Sequence, residues 1–288
     1  MTLFAVSLAL TGCGAARRSS THTAGTEVRA IDVGGVDREF RVHIPHKRAR
    51  ESALVVVIHG GFGSAEQAEN AYGWNEVAES EGLIVAYPSG KGVAWNAGTC
   101  CGRAAHNDVD DVGFVAAMVA ALQEEYGVSP DRTFATGMSN GAMMTYRLAC
   151  ETDLFAAIAP VAGTIVTDCV DPSPTSVLHI HGRDDERVRY DGEVGSGATR
   201  VDGLAVEEDV ALWRAAGECP EPQVTAKPPL TTTTANCPEG RTVSLIAIDG
   251  AGHQWPGAST NGLSGPDPAS TALDATAVIW KFFDSRKG

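Results

Sequence analysis

Five residues, Gly-Met-Ser-Asn-Gly at positions 137–141, constrain the fold of this chain more than any other stretch. They follow an apolar run typical of a strand, residues 132–136, and precede a run typical of a helix, residues 142–150. A strand that enters a helix through Gly-x-Ser-x-Gly turns sharply, and glycines at the flanks avoid side-chain clashes in the turn. The pattern therefore predicts that the Ser139 hydroxyl stands above a sheet and that the Asn140 N–H is free at a helix N-terminus.

The apolar patterns around this turn predict an α/β fold with a single domain. Residues 54–58, Leu-Val-Val-Val-Ile, have no polar face, which is typical of a strand buried on both sides. Strands alternate with helices along the chain, which predicts a mostly parallel sheet covered by helices on both faces. The predicted strands are 27–32 and 38–44 (a hairpin at a sheet edge), 54–58, 83–87, 132–136, 156–161, 176–180 and 242–248; the predicted helices are 65–80 (broken at Gly73), 110–126, 142–150, 206–216 and 270–283.

The first residues are read separately from the domain. Residues 1–12 are apolar and uncharged, as at the end of a signal peptide, and Leu-Thr-Gly-Cys at 10–13 resembles a bacterial lipobox that would attach lipid to Cys13. Residues 13–26 then form a flexible tether, and the domain spans 27–288. We therefore expect an extracytoplasmic protein, secreted or held in the cell envelope, that contacts a membrane only through an anchor at Cys13.

The charge of the chain argues against a nucleic-acid partner. Lys and Arg number 22 against 36 Asp and Glu, a net charge of −14, and no cluster of basic residues interrupts this excess. We expect a monomer whose partner is a small or polymeric substrate.

The cysteines predict disulfides. Seven are present, and setting Cys13 aside leaves an even number, which in an exported chain suggests three bridges. We expect Cys219–Cys237 to close a Pro/Thr-rich excursion. The other two bridges would join Cys100 and Cys101 to Cys150 and Cys169, because adjacent cysteines rarely bond each other.

A reactive serine needs a general base, and the base needs an acid that orients it. In folds with this turn, the acid and then the histidine follow the serine. Of the eight histidines, His253 alone lies in a glycine-rich loop, residues 250–257, after a further strand. The acid should follow the strand 176–180, where Asp184 and Asp185 are neighbours that point apart, so that only one of them can face His253. Glu186 in the same loop is a weaker third candidate.

Residues 59–61, His-Gly-Gly, follow a buried strand and suit a second donor to an oxyanion. We expect that donor to be the backbone N–H of Gly61, with Phe62 as the alternative, and we expect His59 to be a hydrogen-bonded structural residue. His179 and His181 share a strand face, but two histidines are a weak metal signal, and we expect neither a metal nor a cofactor.

Several motifs together resemble a family of secreted bacterial esterases that includes feruloyl esterases and poly(3-hydroxybutyrate) depolymerase-like lipoproteins. The resemblance covers about residues 30 to 285 and implies the α/β-hydrolase fold with a triad of Ser139, Asp185 and His253, thereby favouring Asp185 over Asp184. The motifs that carry it are His59-Gly60-Gly61, Gly73-Trp74, Tyr87-Pro88, Trp95-Asn96-Ala97-Gly98, Cys100-Cys101-Gly102, Asp110-Asp111-Val112, residues 137–141, His181-Gly182 with Asp185 and Val188, and residues 252–257.

The function that follows is a serine carboxylesterase that forms an acyl-enzyme. The expected substrates are hydroxycinnamoyl (feruloyl-type) or short acyl esters, or alternatively 3-hydroxybutyrate oligomers, with little activity on long-chain triglycerides. Trp95 and Trp255 are candidates to bind a flat acyl group, although both could instead pack the loops that carry them. Two other readings are a non-catalytic envelope lipoprotein and a peptidase on the same scaffold; the presence of serine, acid and histidine together argues against the first.

Overall fold

The computed structural model describes residues 24–197, 200–258 and 265–286. The predicted signal-peptide remnant and the lipobox ending at Cys13 lie outside these ranges and stay predictions. The predicted tether, residues 13–26, does not extend as far as residue 26, because the first strand already begins at Gly25.

A ten-stranded sheet forms the centre of the described chain. Its order is β1-β2-β4-β3-β5-β6-β7-β10-β9-β8, in which the six strands from β4 to β10 are parallel and the pairs at both edges are antiparallel. The strands are β1 Gly25–Val33, β2 Val36–Ile44, β3 Leu54–Ile58, β4 Ile84–Pro88, β5 Thr133–Met138, β6 Ala157–Val161, β7 Ser176–Gly182, β8 Gln223–Lys227, β9 Leu230–Asn236 and β10 Thr242–Ile248.

Strand β3 shows why the sheet is covered on both faces. All five of its residues are buried, and because successive side chains of a strand point to opposite faces, they divide between two cores. Leu54, Val56 and Ile58 belong to one core, and Val55 and Val57 to the other. A strand without a polar face is stable only between two layers of helices, as the sequence predicts.

Seven helices of the described chain supply these two layers. Side chains of α4, α5 and α6 enter one core, and side chains of α1, α2 and α7 enter the other. None of the helices in the described ranges is long and apolar enough to cross a bilayer. They are α1 Ala65–Ala71, α2 Trp74–Glu81, α3 Gly102–His106, α4 Asp111–Tyr126, α5 Asn140–Glu151, α6 Val206–Ala216 and α7 Ala275–Asp284, with single 3-10 turns at Lys91–Val93, Pro130–Arg132 and Pro238–Gly240.

Local signals explain where the helices end. The Asp110 side chain accepts a hydrogen bond from the Gly113 N–H at 2.7 Å and so caps α4. Gly73 lies between α1 and α2 in the left-handed region, at φ 73°, and separates the two helices at the predicted break.

The fold class and the edge hairpin β1–β2 are confirmed, whereas a second hairpin was not predicted. Residues 218–240 are not an irregular excursion, because β8 and β9 extend the sheet beyond β10. All five residues of β8 are exposed, so this strand lacks the alternation of apolar and polar residues that reveals a half-buried strand.

Three disulfides join the six cysteines of the described chain. Cys219–Cys237 is confirmed; closing a loop of this length contributes roughly 3 kcal/mol in the chain-entropy picture. The other two predicted bridges are wrong. Cys150, in the last turn of α5, bonds Cys169, 5.2 Å away between Cα atoms, and Cys100 bonds Cys101 across a cis peptide.

Candidate active site

The turn between β5 and α5 places Ser139 above the carboxyl end of the sheet. The backbone of Ser139 has a positive φ of 56°, which is uncommon for a residue with a side chain. A Cβ at position 137 would lie 2.6 Å from the Gly141 carbonyl oxygen, and one at position 141 would lie 2.3 Å from the Ile58 oxygen. The predicted steric role of Gly137 and Gly141 is therefore confirmed.

Ser139, His253 and Asp185 lie in one hydrogen-bonded line. His253 Nε2 is 2.8 Å from Ser139 Oγ, and His253 Nδ1 is 2.7 Å from Asp185 Oδ2. The three residues follow β5, β10 and β7, whose carboxyl ends meet at the same edge of the parallel sheet. This is the geometry of a nucleophile, a general base and an orienting acid.

Of the two adjacent aspartates, the structure brings Asp185 to His253 and leaves the Asp184 side chain exposed. Besides His253, the Asp185 carboxylate accepts the N–H groups of Arg187 and Val188, at 2.8 and 2.9 Å. Burial alone would raise the pKa of Asp185, but hydrogen bonds from His181 and His253 outweigh it and hold that pKa well below its usual range. Asp185 is thus a buried carboxylate that stays ionised.

The loop that carries His253 is fixed by a residue that the sequence analysis missed. The Asp267 carboxylate accepts the His253 backbone N–H at 2.6 Å, and the Asp267 N–H donates to the His253 carbonyl oxygen at 3.4 Å. Only an aspartate soon after the histidine could have hinted at this contact, and that is a weak signal.

Two backbone N–H groups lie beside Ser139 and can face a developing oxyanion. Gly61 packs over Asn140, since a Cβ on Gly61 would be 3.7 Å from the Asn140 Cβ, and in the described chain the Gly61 N–H has no hydrogen-bond partner. The alternative donor, Phe62, is already engaged, because its N–H donates to the Val93 carbonyl oxygen at 2.7 Å. Asn140 is the first residue of α5, where an N–H has no partner within the helix.

His59 is a structural residue, as expected. Its Nε2 accepts the Gly90 N–H at 3.0 Å, so the proton lies on Nδ1, 2.8 Å from the Gly60 carbonyl oxygen. Burial lowers the pKa of His59 to about 4, against the effect of the Gly60 hydrogen bond, and keeps the ring neutral.

The prediction that Trp95 and Trp255 contact the substrate does not hold, because both side chains are fully buried beneath the site. The Trp95 indole N–H donates to the His59 carbonyl oxygen at 2.9 Å, and the Trp255 N–H donates to Thr276 Oγ1 at 3.1 Å. A buried indole needs an acceptor, and both indoles find theirs inside the protein.

Instead, the two tryptophans support the residues of the site. The Trp95 backbone holds both ends of the Asn140 amide, whose Oδ1 accepts the Trp95 N–H at 2.7 Å and whose Nδ2 donates to the Trp95 oxygen at 3.1 Å. Trp255 stacks on Tyr72 with ring centroids 4.4 Å apart. Tyr72 also borders the cavity, and burial raises its pKa to about 12.

A cavity of about 620 Å³ opens above Ser139, and most of its lining is apolar or glycine backbone. Among the described residues that line it, the arginines Arg103 and Arg187 are the charged ones, and none is an aspartate or a glutamate. Nor do His, Cys, Asp and Glu side chains gather anywhere in the described ranges in a group of three or more that could hold a metal ion.

The comparisons with known proteins agree with this geometry. The profile of the Prolyl oligopeptidase family matches residues 72–171, a segment that contains Ser139 but neither Asp185 nor His253. A protein of Nocardia uniformis subsp. tsuyamanensis, "Putative esterase NocK", is 32% identical over 262 residues, which are 81% of this chain and 75% of the relative. "Probable feruloyl esterase C" of Aspergillus clavatus is 27% identical, over 98% of this chain and 97% of its own length.

Solved structures show the same fold. The acetyl xylan esterase from Aspergillus awamori superposes with a TM-score of 0.63 at 18% identity, covering 90% of this chain and 99% of that one. The fold and the relatives define a serine esterase of the α/β-hydrolase superfamily. More particularly, the chain belongs to the esterase family that includes the Nocardia protein.

Replacing each of the two adjacent aspartates tests which one serves His253. We expect Asp185→Asn to lower kcat by roughly four orders of magnitude, because an asparagine stabilises the wrong imidazole tautomer. Asp184→Asn is the matched control and should stay within about twofold of wild type, since exposed side chains away from the site have small effects. Steady-state kinetics on an aryl acetate gives both values, and the reverse ranking would assign the role to Asp184.

Proposed function

We propose that this esterase cleaves carboxylic esters through a triad of Ser139, His253 and Asp185. The observation that carries the proposal is the line of hydrogen bonds from Asp185 through His253 to Ser139 at the floor of the cavity. In the proposed reaction, Ser139 Oγ attacks the ester carbonyl carbon while His253 Nε2 accepts the hydroxyl proton. That proton then passes to the leaving alcohol, and an acyl-enzyme remains.

The backbone N–H groups of Gly61 and Asn140 are the proposed oxyanion donors. They are supported by the free Gly61 N–H beside Asn140 and by the position of Asn140 at the start of α5. Each such donor is typically worth about 3 kcal/mol of transition-state stabilisation. Water activated by His253 then attacks the acyl-enzyme and releases the acid, which returns Ser139 to its starting state.

Covalent labelling tests the nucleophile directly. Ser139→Ala should abolish labelling by a serine-directed phosphonate and lower kcat on the order of a million-fold, because among the described residues no other hydroxyl lies at His253 Nε2. Ser196→Ala is the matched control, since Ser196 lines the same cavity but bonds none of the triad, and it should label at the wild-type rate. Labelling that persists in Ser139→Ala would contradict the assignment.

For the acyl group we propose a hydroxycinnamoyl or short acyl ester. The cavity is large enough for an aromatic acid and is mainly apolar. Phe62 lines it with 77% of its surface exposed and takes over the role of aromatic contact that the sequence analysis gave to Trp95 and Trp255. The relatives that hydrolyse feruloyl esters by name support the same class.

A second candidate substrate is a 3-hydroxybutyrate oligomer, and the charge of the cavity favours it. Such an oligomer ends in a free carboxylate. Arg103 and Arg187 both border the cavity, and within the described ranges neither guanidinium has an ion-pair or hydrogen-bond partner. The Arg187 side chain packs against Gly197, which holds it at the rim. In a chain of net charge −14, two free guanidinium groups at one cavity suit an anionic substrate.

A pair of oligomers that differ only in charge separates the two candidates. We expect wild type to cleave a 3-hydroxybutyrate trimer with a free carboxylate faster than its methyl-capped form. Arg103→Gln and Arg187→Gln should each reduce that preference about two- to fivefold, as for solvent-exposed ion pairs, and leave methyl ferulate unaffected. Arg50→Gln, an exposed arginine outside the cavity, controls for net charge. Equal rates on both trimers would remove the arginine role and leave the esterase assignment in place.

We extend the proposal to the location of the protein. Three disulfides are typical of a protein that folds outside the cytoplasm, and the lipobox-like residues 10–13 support a lipid anchor at Cys13. In bacteria fed labelled palmitate, the wild-type chain should take up label and pellet with membranes, whereas Cys13→Ala should do neither. Unlabelled wild-type chain would reject the anchor.

A further inference from the structure

A buried chain of hydrogen bonds leads away from the triad on the side opposite Ser139. His181 Nε2 lies 3.3 Å from Asp185 Oδ2 and 2.8 Å from the Val188 carbonyl oxygen. His181 Nδ1 is 2.9 Å from His179 Nε2, and His179 Nδ1 is 2.5 Å from the Tyr146 hydroxyl. Both histidine side chains and Tyr146 are buried, between α5 and β7.

The direction of every hydrogen bond in this series can be inferred from the acceptor at one end. A carbonyl oxygen only accepts, so His181 Nε2 carries a proton for Val188. In a neutral His181 ring, Nδ1 is then an acceptor and receives the Nε2–H of His179. His179 Nδ1 in turn accepts the Tyr146 O–H. All three hydrogen-bond donors in this series, on Tyr146, His179 and His181, therefore point towards Asp185.

Burial favours the neutral forms of His179 and Tyr146. Burial, together with the adjacent His181, holds the pKa of His179 well below its usual range. Burial also raises the pKa of Tyr146, and the neighbouring Asp209 on α6 adds to that shift. Tyr190 also faces the pair, since its ring meets His181 edge-on with ring centroids 6.0 Å apart.

We propose that Tyr146 and His179 hold His181 in the tautomer whose Nε2–H supports the Asp185 carboxylate, and that this support positions Asp185 for His253. Asp185 Oδ2 faces both imidazoles, so the His181 N–H sets how strongly that oxygen bonds His253. Tyr146, His179 and His181 are thus positioning residues, and the proposal rests on the triad proposed above.

Tyr146→Phe tests the chain at its far end. The change removes one oxygen and with it the hydrogen bond that holds His179 Nδ1 as an acceptor. The Nε2–H tautomer of His181 then keeps the Val188 carbonyl but loses the support that Tyr146 gives through His179. We expect kcat to fall about three- to tenfold with KM unchanged, the effect of one buried hydrogen bond. Tyr87→Phe is the matched control, because the Tyr87 hydroxyl is equally buried and bonds Asn75 at 2.8 Å, outside the chain. Tyr87→Phe should leave kcat at the wild-type value.

Nuclear magnetic resonance supplies a readout that does not depend on turnover. The proton between His253 and Asp185 should give a far-downfield signal, which should move further downfield in Tyr146→Phe because the less firmly held His181 N–H competes less strongly for Oδ2. Nitrogen shifts should show His181 protonated at Nε2 alone in wild type. His181→Gln, which keeps a donor near the Nε2 position, should retain more activity than His181→Phe.

Three results would overturn the proposal. They are equal kcat values for Tyr146→Phe and Tyr87→Phe, an unmoved downfield proton, and a doubly protonated His181, which would reverse the bonds to His179 and Tyr146. A failure of the triad itself gives a different result, since phosphonate labelling would then persist in Ser139→Ala.

Discussion

The close approach of α5 to the end of β3 is the constraint on which the site depends. Residue 141 has no room for a Cβ, because the carbonyl oxygens of Ile58 and His59 lie against it. This contact keeps Ser139 at a positive φ and brings the Gly60–Gly61 backbone over Asn140. The proposed nucleophile and the proposed oxyanion donors are therefore positioned by one close contact between backbone segments.

The rest of the site adds hydrogen bonds to that frame. The Asn140 amide fastens the turn to the Trp95 backbone, and Asp267 fastens the backbone of His253. A buried carboxylate is stable only when its oxygens are satisfied, and those of Asp185 meet two backbone N–H groups and two imidazoles. The charge of Asp185 is thus maintained by hydrogen-bond donors of the backbone and of two imidazole rings.

The sequence predicted best those features that arise from local physical rules. The apolar run of β3, the glycines around Ser139 and the order of serine, acid and histidine allow few alternatives, and the structure has all of them. Features that depend on what lies opposite in space were missed. Nothing local shows that Trp95 points into the protein, that Cys150 meets Cys169, or that the exposed β8 joins a sheet. Asp185 was separated from Asp184 only by resemblance to a family.

The order of the strands has a consequence for how activity appears during folding. His253 is 114 residues from Ser139 and 68 from Asp185 along the chain, and the three residues meet only when β10 has inserted between β7 and β9. Such long-range pairing is slow to form, and until it is complete, strands such as β3 expose surfaces that favour aggregation. Recovered esterase activity therefore reports the completion of the whole sheet, and a partly folded chain with a formed turn at Ser139 is inactive.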